Sequence, residues 1–470
     1  MATRHVAMVL LAVAAALAVA AAAGGGPTWH VVGVGSLLPS TVCTAANAAS
    51  NSSVLTVVHR HGPCSPLRSR GGGGPPPSHA EILRRGRDRA DAIRRRVAGA
   101  SAISTAHASK PDGGVSLPAR WGAPLGDSNY IVTVGLGTPA RLFSVELDTG
   151  SDLSWVQCRP CRGCYKQRDA LFDPARSSTF SAVPCGSPDC QEFATQNCSR
   201  SGGDKCSYVF PYADGSVAGG NLARDTLTLE PSQTLPGFVF GCGHRDTGDF
   251  GETDGLVGLG RDKVSLASQA ATKYGARFSY CLPSSSSAAG YLSLGGAAPA
   301  DTQFTAMVTR ADTDMPSLYY VNLVGVKVAG RSLEIPPAAF TRAGTIIDSG
   351  TVVTYMPPRA YAALRSAFTR LMSDYRRAPA RDNLDTCYDF TGVTTAKIPT
   401  VALVFADGAT MNLDARGIMY VFTVSQTCLA FASNDEETYV NILGNTQQKT
   451  FTVVYDVANQ KIGFSPNGCS

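Results

Sequence analysis

Hydrophobic positions along the chain come in short alternating bursts, each closed by glycine, proline or hydroxyl residues. Between Asn129 and Pro139, Tyr130, Val132, Val134 and Leu136 take every second position before Gly137-Thr-Pro139, a pattern that predicts the first arm of a β-hairpin. A similar run, Leu318–Val326, opens the later part of the chain. Two segments break this rhythm. Pro357–Met372 begins with prolines and places Tyr361, Leu364, Phe368 and Leu371 at helical spacing, which predicts a helix whose aromatics pack into a core. Glu81–Val97 puts Ile82, Ala90, Ile93 and Val97 on one helical face and arginines around the remainder. The longest apolar run, Val6–Ala23, follows Arg4-His5 and leads into Gly24-Gly-Gly-Pro27, as in a secretory signal peptide; a membrane anchor is the alternative, and no other stretch is long and apolar enough to span a bilayer.

Composition extends this picture. A chain of 470 residues, 44% hydrophobic and 16% charged, exceeds what one core serves and predicts two lobes; 48 glycines and 28 prolines favour strands and turns. The formal charge of +5 is unevenly placed. Residues 24–110 hold 11 basic and 3 acidic residues; without these and Arg4 the remainder has 29 basic and 33 acidic (41 less 12 and 36 less 3), a net −4. The basic helix can therefore be read as a solvated face, a nucleic-acid patch, or a segment that lies over an acidic cleft. Of 14 cysteines, Cys43 and Cys64 precede residue 111, leaving an even 12 for the later part. Cys158-x2-Cys161-x2-Cys164 could ligate zinc, but no histidine stands near it, so disulfides and an oxidising compartment are expected, with no metal.

The chemistry lies in a repeated pattern. Val145-Glu-Leu-Asp148-Thr-Gly-Ser151 and Ile346-Ile-Asp348-Ser-Gly-Thr351 each run apolar residues into Asp, a hydroxyl residue, Gly and a second hydroxyl residue, 200 positions apart. Leu256-Val-Gly258 and Ile442-Leu-Gly444 follow their aspartates by 110 and 96 residues, counted to the glycine, and would let a strand pass close to each Asp loop. Two carboxylates held together cannot both ionise, so one can serve as base while the other serves as acid.

On these motifs, with Tyr212-Ala-Asp-Gly-Ser216, Asn441–Phe451, Tyr455-Asp-Val457 and Ile462-Gly-Phe464, the chain from about residue 115 onward resembles a pepsin-like aspartic protease, more narrowly the plant nepenthesin and chloroplast-nucleoid-protease-like group; Val58–Ser65 is similar to that group's propeptide. The resemblance implies a mainly β, bilobal fold with a few short helices: signal peptide 1–23, propeptide 24–110, N-terminal lobe 111–305 carrying a cysteine-rich insertion and the flap, and C-terminal lobe 306–470. It implies a water activated between Asp148 and Asp348 without cofactor or metal, loops cross-braced by Thr149 and Ser349, tight turns at Gly150 and Gly350, and hydrogen bonds from Ser151 and Thr351 near the outer carboxylate oxygens. Tyr212 matches the flap tyrosine and Trp155 the tryptophan that meets its hydroxyl. The implied disulfides are Cys158–Cys161, Cys164–Cys242, Cys185–Cys206, Cys190–Cys198, Cys281–Cys469 and Cys387–Cys428.

The expected activity is thus acidic endoproteolysis by a zymogen whose own propeptide is its inhibitor until acid protonates the carboxylates. The pepsin-type inhibitory lysine has no clear counterpart, which leaves the blocking residue unassigned. Expected partners are protein or peptide substrates of a monomer, free of the membrane after signal removal, with nucleic acid not among them; the secretory pathway leads to the apoplast, with vacuole and plastid as alternatives. Asn51-Ser-Ser53 and Asn197-Cys-Ser199 are glycosylation acceptors in such a chain. The alternatives are a non-catalytic glycosidase inhibitor on the same fold, whose kind typically lacks an intact pair of motifs, and a nucleic-acid role for the basic segment.

Overall fold

The computed structural model describes residues 26–44, 54–67, 77–97 and 130–469, apart from 194–196, 199–203, 212–215, 249, 311–312 and 314. The expected signal peptide 1–23, the acceptor Asn51 and the flap residue Tyr212 lie outside them. The described chain is mainly β, with a few helices on its surfaces.

The predicted hairpin forms from Tyr130–Leu136 and Arg141–Asp148, paired antiparallel from Ile131↔Glu146 to Leu136↔Arg141. Residues 143–148 of its second strand are all buried, as a strand must be when both faces are covered. Strand Gly255–Gly258 then runs parallel to it, Gly258 opposite Asp148. The later half repeats the arrangement: Asn441–Leu443 lies parallel to Thr345–Ile347, with Ile347 opposite Leu443. A side chain at Gly258 or Gly444 would meet a carbonyl oxygen at 2.3 or 2.4 Å, of Asp152 and Val353 respectively, so both positions must lack a Cβ for the strand to pass. Between the halves, Arg277–Cys281, Ala289–Leu294, Thr452–Asp456 and Lys461–Ser465 pair into shared sheet, and Gln303–Val308 joins it along Lys461–Ser465. Pro358–Leu371 is the predicted helix, burying Tyr361, Leu364 and Phe368.

The N-terminal basic region is built into this body at three places. Trp29–Gly33 adds a strand to Thr395–Pro399. Val54–His59 is inserted between Ala289–Leu294 and Tyr130–Leu136, with Val57 and Leu55 in the core. Its exit is fixed by Arg60, whose guanidinium lies 2.8 Å from Glu146 with both side chains 2% exposed; a buried charge of this kind is tolerable only when paired. The following turn is bonded by Cys43–Cys64. The third piece is the helix His79–Val97, whose Ile82, Leu83, Ala90 and Ile93 pack against Leu318, Ile346, Val352 and Tyr355.

The disulfides correct part of the expectation. Cys281–Cys469 and Cys387–Cys428 form as expected. Cys158 bonds Cys242, and Cys161 bonds Cys164, in place of Cys158–Cys161 and Cys164–Cys242. Register decides this: Trp155–Gln157 pairs in parallel with Gly241–Gly243, bringing Cys158 beside Cys242, while Cys164 stands opposite Asp246. Cys190 bonds Cys206, which excludes Cys185–Cys206 and Cys190–Cys198. Cys206 and Cys198 are directly opposed on neighbouring strands, yet Cys206 turns to the helix Pro188–Phe193 that carries Cys190. The three thiols read as a possible zinc set are all consumed by these bonds.

Mass spectrometry of a non-reduced digest should therefore recover Cys158 joined to Cys242 and Cys161 joined to Cys164 within one short peptide. A Cys164–Cys242 cross-link would overturn the register just described.

Candidate active site

Each aspartate ends a buried strand and opens a loop, so its position is set by sheet pairing on one side and by loop hydrogen bonds on the other. The Leu259 N–H donates to the Asp148 carbonyl at 2.8 Å, and the Asp348 N–H donates to the Leu443 carbonyl at 3.1 Å. The two loops meet back to back. Ser349 Oγ accepts the Thr149 N–H at 3.1 Å and donates to the Leu147 carbonyl at 3.2 Å, while the Ser349 N–H donates to Thr149 Oγ1 at 3.0 Å. Gly150 and Gly350 direct their N–H groups onto Oδ1 of Asp148 and Asp348, at 2.9 and 3.2 Å.

The outer oxygens differ. Thr351 Oγ1 donates to Asp348 Oδ2, whereas Ser151 Oγ has no hydrogen-bond partner and neither does Asp148 Oδ2. The expected symmetry of Ser151 and Thr351 is therefore not met. A third group adds to the asymmetry. Arg89, from the helix His79–Val97, reaches between the carboxylates: its Nη2 lies 2.6 Å from Asp148 Oδ1 and 2.7 Å from Asp348 Oδ1, and its Nε lies 2.8 Å from Asp348 Oδ2. Asp348 receives the planar edge of the guanidinium and Asp148 only one nitrogen.

All three side chains are sealed, at 1% exposure or less. Burial alone would push the Asp348 carboxyl up, but the charge and hydrogen bonds of Arg89, the Thr351 hydroxyl and the Gly350 N–H together hold it below the usual carboxylate range. Burial likewise works against the Arg89 proton, and the two carboxylates outweigh it. A Cβ on Gly350 would fall 2.2 Å from the Arg89 guanidinium carbon, so this glycine is needed for the plug to seat.

Residues beyond the motifs hold the loops. Gln448 donates to the carbonyls of Leu443 and Asp348, at 2.9 and 3.2 Å, and Asn445 to that of Ser349 at 3.0 Å. Asp152 accepts the Asp262 N–H at 3.0 Å and is pushed up to about 7, by burial first and by the Asp262 charge second. Trp155 is buried against Phe250 and Tyr165; its expected meeting with Tyr212 lies outside the described residues. Asn197 sits in a short strand paired with Ser207.

Sequence reasoning missed Arg89, although a signal was present. On the helical wheel it falls beside Ile82 on the buried face, between Ala92 and Ile93, where an unpaired charge is not tolerated.

Two β halves, each offering one aspartate to a shared buried dyad, define a pepsin-like protein class. The comparisons agree. The chain matches the families described as Xylanase inhibitor N-terminal over residues 130–296 and Xylanase inhibitor C-terminal over residues 318–466. It is 45% identical over 448 residues to an aspartyl protease family protein of Arabidopsis thaliana, covering 94% of this chain and 93% of that one. It is 36% identical over 354 residues to aspartic proteinase nepenthesin-2 of Nepenthes gracilis, covering 73% and 78%. Among solved structures it superposes on edgp with a TM-score of 0.60 at 18% identity (76% of this chain, 96% of that one) and on basic 7S globulin from soybean with 0.58 at 22% identity (72% and 91%), a likeness of fold. The chain belongs to the plant aspartic protease family.

Replacing Ser349 by Ala leaves the Thr149 N–H buried without an acceptor and should destabilise the full chain by about 1–3 kcal/mol in chemical denaturation. Unchanged stability would show that the inter-loop brace does not bear on the fold.

Proposed function

We propose that this chain is the zymogen of an aspartic endopeptidase that enters the secretory pathway, held inactive by residues 24–110 and cutting protein or peptide substrates once they are displaced. The observation that carries this reading is the single guanidinium bridging Asp148 and Asp348, because it occupies the place where a nucleophilic water and a scissile carbonyl must sit. The intact dyad favours a protease over a non-catalytic inhibitor. With Arg89 withdrawn, the two carboxylates share one proton; the ionised one takes a proton from water as it attacks the carbonyl, and the protonated one donates to the developing oxyanion. A proton then returns to the leaving amine. Secretion is supported by the Val6–Ala23 run and by the absence of free cysteines among the described residues, and the apoplast is the proposed destination of a monomer.

The trigger differs from carboxylate protonation alone. Because the folded Asp348 pKa is depressed, the stabilisation it gives to docking is present above the unfolded value, about 4, and is lost only as pH falls through the depressed one. Three prosegment histidines respond earlier. The His61 N–H donates to His59 Nδ1 at 3.2 Å, a bond that an imidazolium would lose, and the His59 ring stands edge-on to Tyr130 at 5.6 Å. Burial first, then neighbouring positive charge, lowers His59, His61 to about 3, and His79; Lys449, Arg60, Arg85 and Arg381 supply much of that charge. Their folded pKa values lie below the unfolded 6.5, so the docked state is favoured above about pH 6.5 and weakens as pH falls below it.

The precursor should therefore shorten and gain peptidase activity on acidification, and Asp148→Asn or Asp348→Asn should abolish that activity in a protein still folded by circular dichroism. Substantial peptidase activity in either folded variant, with contaminants excluded, would sink the dyad reading.

Two further variants test the plug and its trigger. His59→Gln with His61→Gln should move the midpoint of acid conversion down by about 0.5–1 pH unit. Arg89→Met should move it up, because two buried carboxylates lose their cation, a loss of about 3–5 kcal/mol in docking.

A further inference from the structure

The cysteine-rich insertion of the N-terminal lobe forms a cleft of about 880 Å3 that none of the dyad residues lines. This is within the range of small-molecule sites, about 300–1,000 Å3. Its apolar side is made by Leu171, Pro174, Phe180 and Leu222. Arg159, Arg162, Lys205 and Arg245 line it as well, all exposed, and none has an ion-pair partner among the described residues. One carboxylate, Asp173, reaches the cleft, and it is already engaged by the Ala175 N–H at 3.2 Å and by Arg176 at 4.0 Å.

Four cations around one opening repel one another, and the rest of the molecule does not explain them: without residues 24–110 and Arg4 the chain carries a net −4. The walls are also stiff. Cys158–Cys242 bonds the two sides, Cys161–Cys164 closes the loop that carries Arg162, and the Arg162 N–H donates to the His244 carbonyl at 3.1 Å. The His244 ring is oriented by a 3.0 Å contact from Nδ1 to the Pro160 carbonyl. A concave wall held by these bonds under a positively charged rim suits an anion, since the backbone is already in place and only the side chains have to be ordered on binding.

We propose that this cleft binds a small ring-bearing polyanion, whose carboxylate or phosphate groups meet Arg159, Arg162, Lys205 and Arg245 and whose apolar ring faces lie on Leu171 and Phe180. Oligouronates and inositol polyphosphates share this chemistry. Arginine suits either, because its planar fork pairs with both kinds of oxyanion. The site is independent of the catalytic reading, and binding is measured without peptide cleavage.

Isothermal titration calorimetry of the full precursor at pH 6.5 tests it with three probes: trigalacturonate, myo-inositol hexakisphosphate and the neutral maltotriose. At least one of the anions should bind with one-site stoichiometry, weaken severalfold between 50 and 300 mM salt, and weaken tenfold or more in the Arg159→Ala, Arg162→Ala, Arg245→Ala triple variant. Which anion binds identifies the source. Arg245→Gln alone should give a smaller loss, so the test survives if the triple variant folds poorly. Binding of neither anion, equal binding of maltotriose, or affinity unchanged in folded variants would overturn the proposal.

Discussion

One buried guanidinium between two buried carboxylates is the interaction on which the described structure turns. Two like charges so close are unstable without a compensating group, and a charge at 1% exposure has no water to compensate it. Arg89 resolves both conditions, and the surrounding elements follow from having to deliver it. The helix His79–Val97 must lie close enough for a long side chain to cross two glycine-containing loops, and its apolar residues must cover the rest of the contact. Gly86 serves that approach, since a Cβ there would stand 3.0 Å from Val352.

Further buried contacts hold the same region. Arg94, 3% exposed, donates to Asn434 at 2.7 Å and lies 4.5 Å over the Tyr355 ring, fixing the end of the helix. Upstream, Arg60 and Glu146 place a second buried ion pair at the end of Val54–His59, on the strand that ends in Asp148. The dyad and the anchor therefore share a strand. The contact of the N-terminal region with the body is distributed over the sheet, the helix and the loops, with Arg89 as the point where it meets the two carboxylates.

Local motifs made the dyad legible, because strand, Asp, hydroxyl and glycine are neighbours in the chain and each has one physical task. The two helices were legible for the same reason: their periodicity lies within one segment. Disulfide connectivity was not, since Cys158 and Cys242 are brought together by a parallel register that no spacing reveals. Arg89 lay between these cases. Its place in an apolar stripe declared that a partner existed, but the partners, 59 and 259 residues away, could be named only when the fold brought them to it.

The strand Val54–His59 is hydrogen-bonded on both sides, to Tyr130–Leu136 and to Ala289–Leu294. Any product of processing that loses it is left with two open sheet edges facing one slot, and open edges are templates for pairing with whatever extended chain is at hand. Loss of this strand is thus also a problem of colloidal stability: the slot must be refilled by another strand before it meets a second molecule, or the shortened protein associates through it.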